Sequence, residues 1–205
     1  AGYEWDVVES LPVSEAIKMQ GSEMRAHITA YKASLEALAA ANITTICYNF
    51  MPILDWTRTN LRAKQPHGGA AMRFDLIDFA VFDLHILQRE EGVESYSEAQ
   101  RAAAAERFNA LSDHRKKQLQ RNIIAGLPGA NDSWSLGDVR ALLDSYKGIT
   151  RAQLRSHLID FLSEVAPCAE ALGLRLCCHP DDPPFSLLGL PRVMSSCADY
   201  SLVLN

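Results

Sequence analysis

A parallel α/β architecture is predicted for this 205-residue chain by three observations. Short β-branched or aromatic runs recur at residues 4–9, 43–50 and 174–178, with helical apolar periodicity between them. Each run leads into helix-length sequence rather than a two-residue turn, and strand–helix–strand order implies right-handed parallel units. After the second run the alternation is suspended, and residues 55–148 read as a long, mostly helical excursion. The count is three strand–helix units, too few to close a barrel by themselves.

The first strand, EWDVVE, is ended by Ser10, Leu11 and Pro12. Met24, Ile28, Tyr31, Leu35 and Leu38 then recur at four and three, one apolar stripe of a helix that Asn42 can stop. Residues 43–50 give the second strand. In the excursion, residues 75–87 are apolar almost all round and should be buried. Ser97 with Gln100 forms a capping box, Ser112 caps a helix carrying Leu119, Ile123 and Ile124, and Ser135 with Asp138 opens a shorter one. Residues 126–133, rich in Gly and Pro, are the loop between the last two. Thr150 with Gln153 opens a helix over residues 151–172, with Pro167 inside it to kink it near Ser163. The third strand follows Gly173 and is terminated by Pro180, Pro183 and Pro184. Ser196 with Asp199 starts a last helix.

Composition narrows the function classes. Twenty Lys and Arg against twenty-five Asp and Glu leave a formal charge of −5 with no polybasic patch, so nucleic acid and anionic membranes are not expected partners. No run reaches the roughly 20 apolar residues of a membrane span, and the opening AGYEWDVVES does not read as a signal peptide. Five cysteines, an odd number without a CxxC pair, favour a reducing, cytoplasmic compartment over a disulfide framework. Adjacent Cys177 and Cys178 point to opposite faces of their strand and are poor partners for each other. There is no GxGxxG, P-loop or nucleophile elbow to support nucleotide binding or serine hydrolysis.

The chemistry is expected at His179. It stands at the carboxyl end of a buried strand, before a rigid acidic loop, where α/β proteins build their sites. A neutral imidazole held there suits Mn²⁺, Fe²⁺ or Zn²⁺. Asp181 and Asp182 are open between two roles: orienting the imidazole or binding substrate hydroxyls, and simply forming the turn. Alternation puts Arg175, Cys177 and His179 on one face, where Cys177 reads as a packed thiol rather than a ligand.

Four strings carry a family resemblance: CYNFMPILDWTRTN at residues 47–60, RNIIAGLPGA at 121–130, HPDDPP at 179–184 and LGLPR at 188–192. With them the chain resembles the mannonate dehydratases of hexuronate (glucuronate) breakdown along essentially its whole length. The resemblance implies a (β/α)₈ TIM barrel of the xylose-isomerase-like kind. Residues 1–205 would then be a single domain covering part of that barrel, from its second strand to mid-protein, with residues 55–149 as a helical insertion. It also implies a homo-oligomeric hydro-lyase, dependent on Mn²⁺ or Fe²⁺, that converts D-mannonate to 2-keto-3-deoxy-D-gluconate. His179 would be one metal ligand. The remaining ligands and the general acid and base would lie beyond Asn205. For a polyol acid, Asn49, Asp55 and Arg58 offer donors and acceptors, with Arg58 on the carboxylate and Trp56 as a water shield. Tyr48 and Glu9 complete the expected pocket. A sugar isomerase or epimerase on the same barrel, and a non-catalytic fragment or binding protein, are the alternative readings.

Overall fold

The computed structural model describes residues 2–54, 57–125 and 135–204. The chain divides into two compact units, one of Ala1–Pro52, Gly148–Phe185 and Pro191–Asn205, the other of Ile53–Lys147 and Ser186–Leu190.

The first unit begins with β1 (Val7–Val8), α1 (Glu15–Lys18), α2 (Met24–Ala40) and β2 (Thr45–Tyr48). The second contains β3 (Asn60–Lys64), β4 (Ala70–Arg73), α3 (Leu76–Val81), a π-helix (Phe82–Leu87), a 3₁₀-helix (Glu90–Ser95), α4 (Glu98–Ala110), α5 (Asp113–Ile124) and α6 (Leu136–Asp144). The chain then returns to the first unit through α7 (Arg151–Ala171), β5 (Arg175–Cys178) and α8 (Cys197–Leu204).

Strands β1, β2 and β5 form a parallel sheet in the order β1–β2–β5. One of its faces is apolar. Ile46 and Tyr48 are buried there, and the ring of Phe161 from α7 lies 5.9 Å from Tyr48, 5.8 Å from Phe50 and 5.1 Å from Tyr31 of α2. Phe161 thus joins strand to both helices, and the edge-on geometry with Tyr31 adds to what burial supplies. The other face carries Thr45, Cys47, Arg175 and Cys177, none of them buried. Strand β1 is shorter than residues 4–9 suggested. Tyr3 and Trp5 are exposed, so only the two valines gain a neighbour.

The expected helix caps form. Thr150 and Gln153, Ser97 and Gln100, and Ser135 and Asp138 make reciprocal boxes, and Ser112 accepts from the Arg115 N–H. Helix α7 runs through Pro167 to Ala171. The Gly- and Pro-rich loop expected at residues 126–133 lies outside the described residues.

The second unit holds what the sequence did not announce. Strands β3 and β4 are an antiparallel hairpin, mostly exposed on both sides, so they lack the apolar alternation that marks a half-buried strand. Residues 75–87, read as one buried helix, change from α to π at Phe82. At that point Asp83, fully buried, accepts from Arg89 Nε at 2.9 Å and Nη2 at 2.8 Å, and from the Tyr96 hydroxyl at 3.0 Å. The Arg89 guanidinium also explains Gly189. The φ there is +76°, and a Cβ would sit 3.2 Å from Arg89 Nη1.

Removing one member of this paired, desolvated group leaves the other charge without compensation. Asp83→Ala should therefore lower unfolding stability by about 3–5 kcal/mol, read as a fall in the urea midpoint. An exposed-acid control such as Glu98→Ala should shift it far less.

Candidate functional site

The site is built by one extension of the parallel ladder. The N–H of His179 donates to the Tyr48 carbonyl at 2.7 Å, continuing the β2–β5 pairing one residue past the strand end. Pro180 then stops the ladder, having no N–H to offer. His179 Nδ1 lies 2.7 Å from the Pro180 carbonyl oxygen. A carbonyl only accepts, so Nδ1 carries the hydrogen and Nε2 of the neutral ring carries the lone pair. Nε2 is 3.9 Å from Glu9 Oε1 at the end of β1, with the imidazole 30% and the carboxylate 68% exposed. This pair is a loose, solvated contact rather than a locked ion pair.

Asp181 is buried and engaged elsewhere. Its Oδ2 accepts from the Met194 N–H at 2.6 Å and the Ser195 hydroxyl at 2.8 Å, while its own N–H donates to the Met194 carbonyl at 3.1 Å. These bonds fasten the loop after His179 to the segment before α8. The N–H of Asp182 reaches the Met51 sulfur at 3.2 Å.

Below His179, Cys47 and Cys177 are register partners. Burial, then Cys177 and the Glu9 carboxylate, push the Cys47 thiol up to about 11. The pairing was not read from the sequence, in which the two cysteines are far apart. The signal available was the parallel order of the strands, which makes 47 and 177 neighbours once the register is known.

Of the expected substrate residues, Glu9 joins His179. Tyr48 does not. Alternation turns its side chain to the apolar face, where it is buried against Phe161. Asn49 is buried at the end of β2. Arg58 belongs to the second unit, where its Nη1 donates to the Thr57 carbonyl at 2.9 Å. Asp55 and Trp56 lie outside the described residues. Just before them, Ile53 is buried with φ +58°, a left-handed conformation that a β-branched residue adopts only under strain. Thr57 just after is fully buried. Among the described residues, no group of three or more His, Cys, Asp or Glu side chains gathers to hold a metal ion, and no helix is long and apolar enough to cross a membrane.

The family model described as D-mannonate dehydratase (UxuA) matches residues 1–205. The chain is 53% identical over 204 residues to a mannonate dehydratase of Rhizobium meliloti (strain 1021), a match covering 100% of this chain and 51% of that protein. It is 52% identical over 204 residues to mannonate dehydratase 1 of Agrobacterium fabrum (strain C58 / ATCC 33970), again with 100% and 51% covered. The crystal structure of mannonate dehydratase from Streptococcus suis serotype2 is similar at a TM-score of 0.65 and 27% identity, covering 100% of this chain and 44% of that one. The chain spans about half the length of the curated relatives it matches.

The Pro180 contact determines the tautomer of His179. Long-range ¹H–¹⁵N correlation spectra of the neutral ring should show His179 protonated on Nδ1. A proton on Nε2 would mean that the ring is turned and offers its other nitrogen.

Proposed function

The chain belongs to the D-mannonate dehydratase (UxuA) family, and from that premise we propose that it supplies one side of a metal-dependent dehydratase site, on a parallel sheet that is part of a TIM barrel. The reaction is loss of water from D-mannonate to give 2-keto-3-deoxy-D-gluconate. A proton leaves the carbon next to the carboxylate, the neighbouring hydroxyl departs, and the resulting enol becomes the keto group.

The observation that carries the reading is the Nδ1 contact of His179 with the Pro180 carbonyl at 2.7 Å. A histidine that ligates through one nitrogen almost always donates the other N–H to a carbonyl or carboxylate. His179 meets that condition at the end of a strand, with Nε2 accessible, so its donor chemistry fits a divalent ion such as Mn²⁺ or Fe²⁺. Glu9 is a carboxylate near it, and the family's further ligands would come from the part of the relatives that this chain does not match. When bound, the ion supplies positive charge that stabilises the negative charge developing on the substrate, worth several kcal/mol.

The chain's own residues have simpler tasks. His179 holds a fixed position because its backbone is in the ladder and its ring is fastened to Pro180. Asp181 keeps that turn from moving. The family resemblance assigns Arg58 to the substrate carboxylate, and Asn49, Asp55 and Trp56 to the other substrate contacts. Five free thiols accord with a reducing cytoplasm.

The test is to incubate the full-length enzyme with D-mannonate and Mn²⁺ or Fe²⁺ and to measure the 2-keto-3-deoxy acid, a product that an isomerase or epimerase would not form. His179→Ala should abolish turnover and lower the bound metal measured by elemental analysis, with the circular dichroism unchanged. Normal activity at unchanged metal content would refute its role. Arg58→Ala should lower kcat/KM by about 1.5–3 kcal/mol, the loss of a charge-assisted contact. An unchanged kcat/KM would reduce Arg58 to a brace for the Thr57 carbonyl.

A further inference from the structure

Register places Cys47 of β2 directly opposite Cys177 of β5, on the sheet face that carries no helix. Neighbouring strands run roughly 4.7–4.9 Å apart, inside the Cα separation of about 4.4–6.8 Å that a disulfide spans. The backbone contacts of the two thiols are long: the Ile46 carbonyl lies 3.6 Å from Cys177 Sγ and the Tyr48 carbonyl 4.0 Å from Cys47 Sγ. Within this chain Cys177 is exposed and Cys47 half-buried. The other cysteines are placed differently. Cys178 is turned to the opposite face with Tyr48, Cys168 is in α7, and Cys197 opens α8.

We propose that Cys47 and Cys177 are a redox-active dithiol, converted reversibly by hydrogen peroxide into an intramolecular disulfide across the sheet. The exposed Cys177 sulfur attacks the peroxide O–O bond, giving a sulfenic acid and releasing one molecule of water. The Cys47 sulfur then displaces the sulfenic hydroxyl, which leaves with a proton as a second water. Two thiols are oxidised, one peroxide is reduced to two waters, and no further reactant is needed. A thiol reductant reverses the step by thiol–disulfide exchange. The bridge would tie β2 to β5 beside His179. The proposal follows from strand register alone and does not depend on the metal or the substrate.

The native protein is treated with hydrogen peroxide, its remaining thiols are alkylated, and its digest is mapped by mass spectrometry. The expected result is a peptide pair joined through Cys47 and Cys177, about 2 Da lighter than the two thiols together, with both residues alkylatable again after dithiothreitol. Cys168→Ser and Cys197→Ser should leave this crosslink in place. Cys47→Ser should remove it and leave a dimedone-reactive sulfenic acid on Cys177. The proposal is overturned if Cys47 and Cys177 both stay alkylatable, if either links to another cysteine, or if Cys177 passes to sulfinic acid while Cys47 remains a thiol.

Discussion

The pairing of β2 with β5 is the constraint on which the site depends. Thr45, Ile46, Cys47 and Tyr48 face Arg175, Leu176, Cys177 and Cys178 in order, and the His179 N–H closes the ladder on Tyr48. Side chains alternate with period two, so a slip of one residue would exchange the faces. Ile46 and Tyr48 would leave Phe161, and Cys47 would enter the apolar layer. The cost of exposing the core therefore holds the register, and the register holds the chemistry. Packing on one face sets the geometry on the other.

The end of the strand is fastened in two ways. Pro180 cannot extend the ladder, and its carbonyl turns back to the ring that precedes it. Asp181 contributes three hydrogen bonds to Met194 and Ser195, counting the one from its own N–H. A buried carboxylate whose acceptors are filled by donors is stable, whereas one left partly satisfied would be costly. The imidazole is thus oriented by backbone on both sides, which suits a group that must present one nitrogen in a fixed direction.

Much of this was legible in the sequence, and the remainder follows from what periodicity can see. The three parallel strands, the capping boxes and the strand-end position of His179 all come from local patterns of apolar spacing and hydroxyl–carboxamide pairs. Tyr48 lies away from His179 because a residue at the end of a strand can point to either face, and here its ring packs against Phe161. The hairpin of β3 and β4 was invisible because it buries almost nothing. The Cys47–Cys177 pairing needed a register that no single stretch contains.

The shared strings divide along the same line. In HPDDPP, His179 offers a donor atom to solvent, while Asp181 tethers the loop. In LGLPR, Gly189 is required by a positive φ and by the approach of Arg89, whose charge is held by the buried Asp83. The Asp83–Arg89–Tyr96 cluster is expensive to desolvate, so it adds little net stability, yet it penalises any arrangement that breaks it. A long shared motif in this chain is therefore mostly a packing instruction. The few residues that carry chemistry are those whose polar atoms remain directed at solvent after the packing is complete.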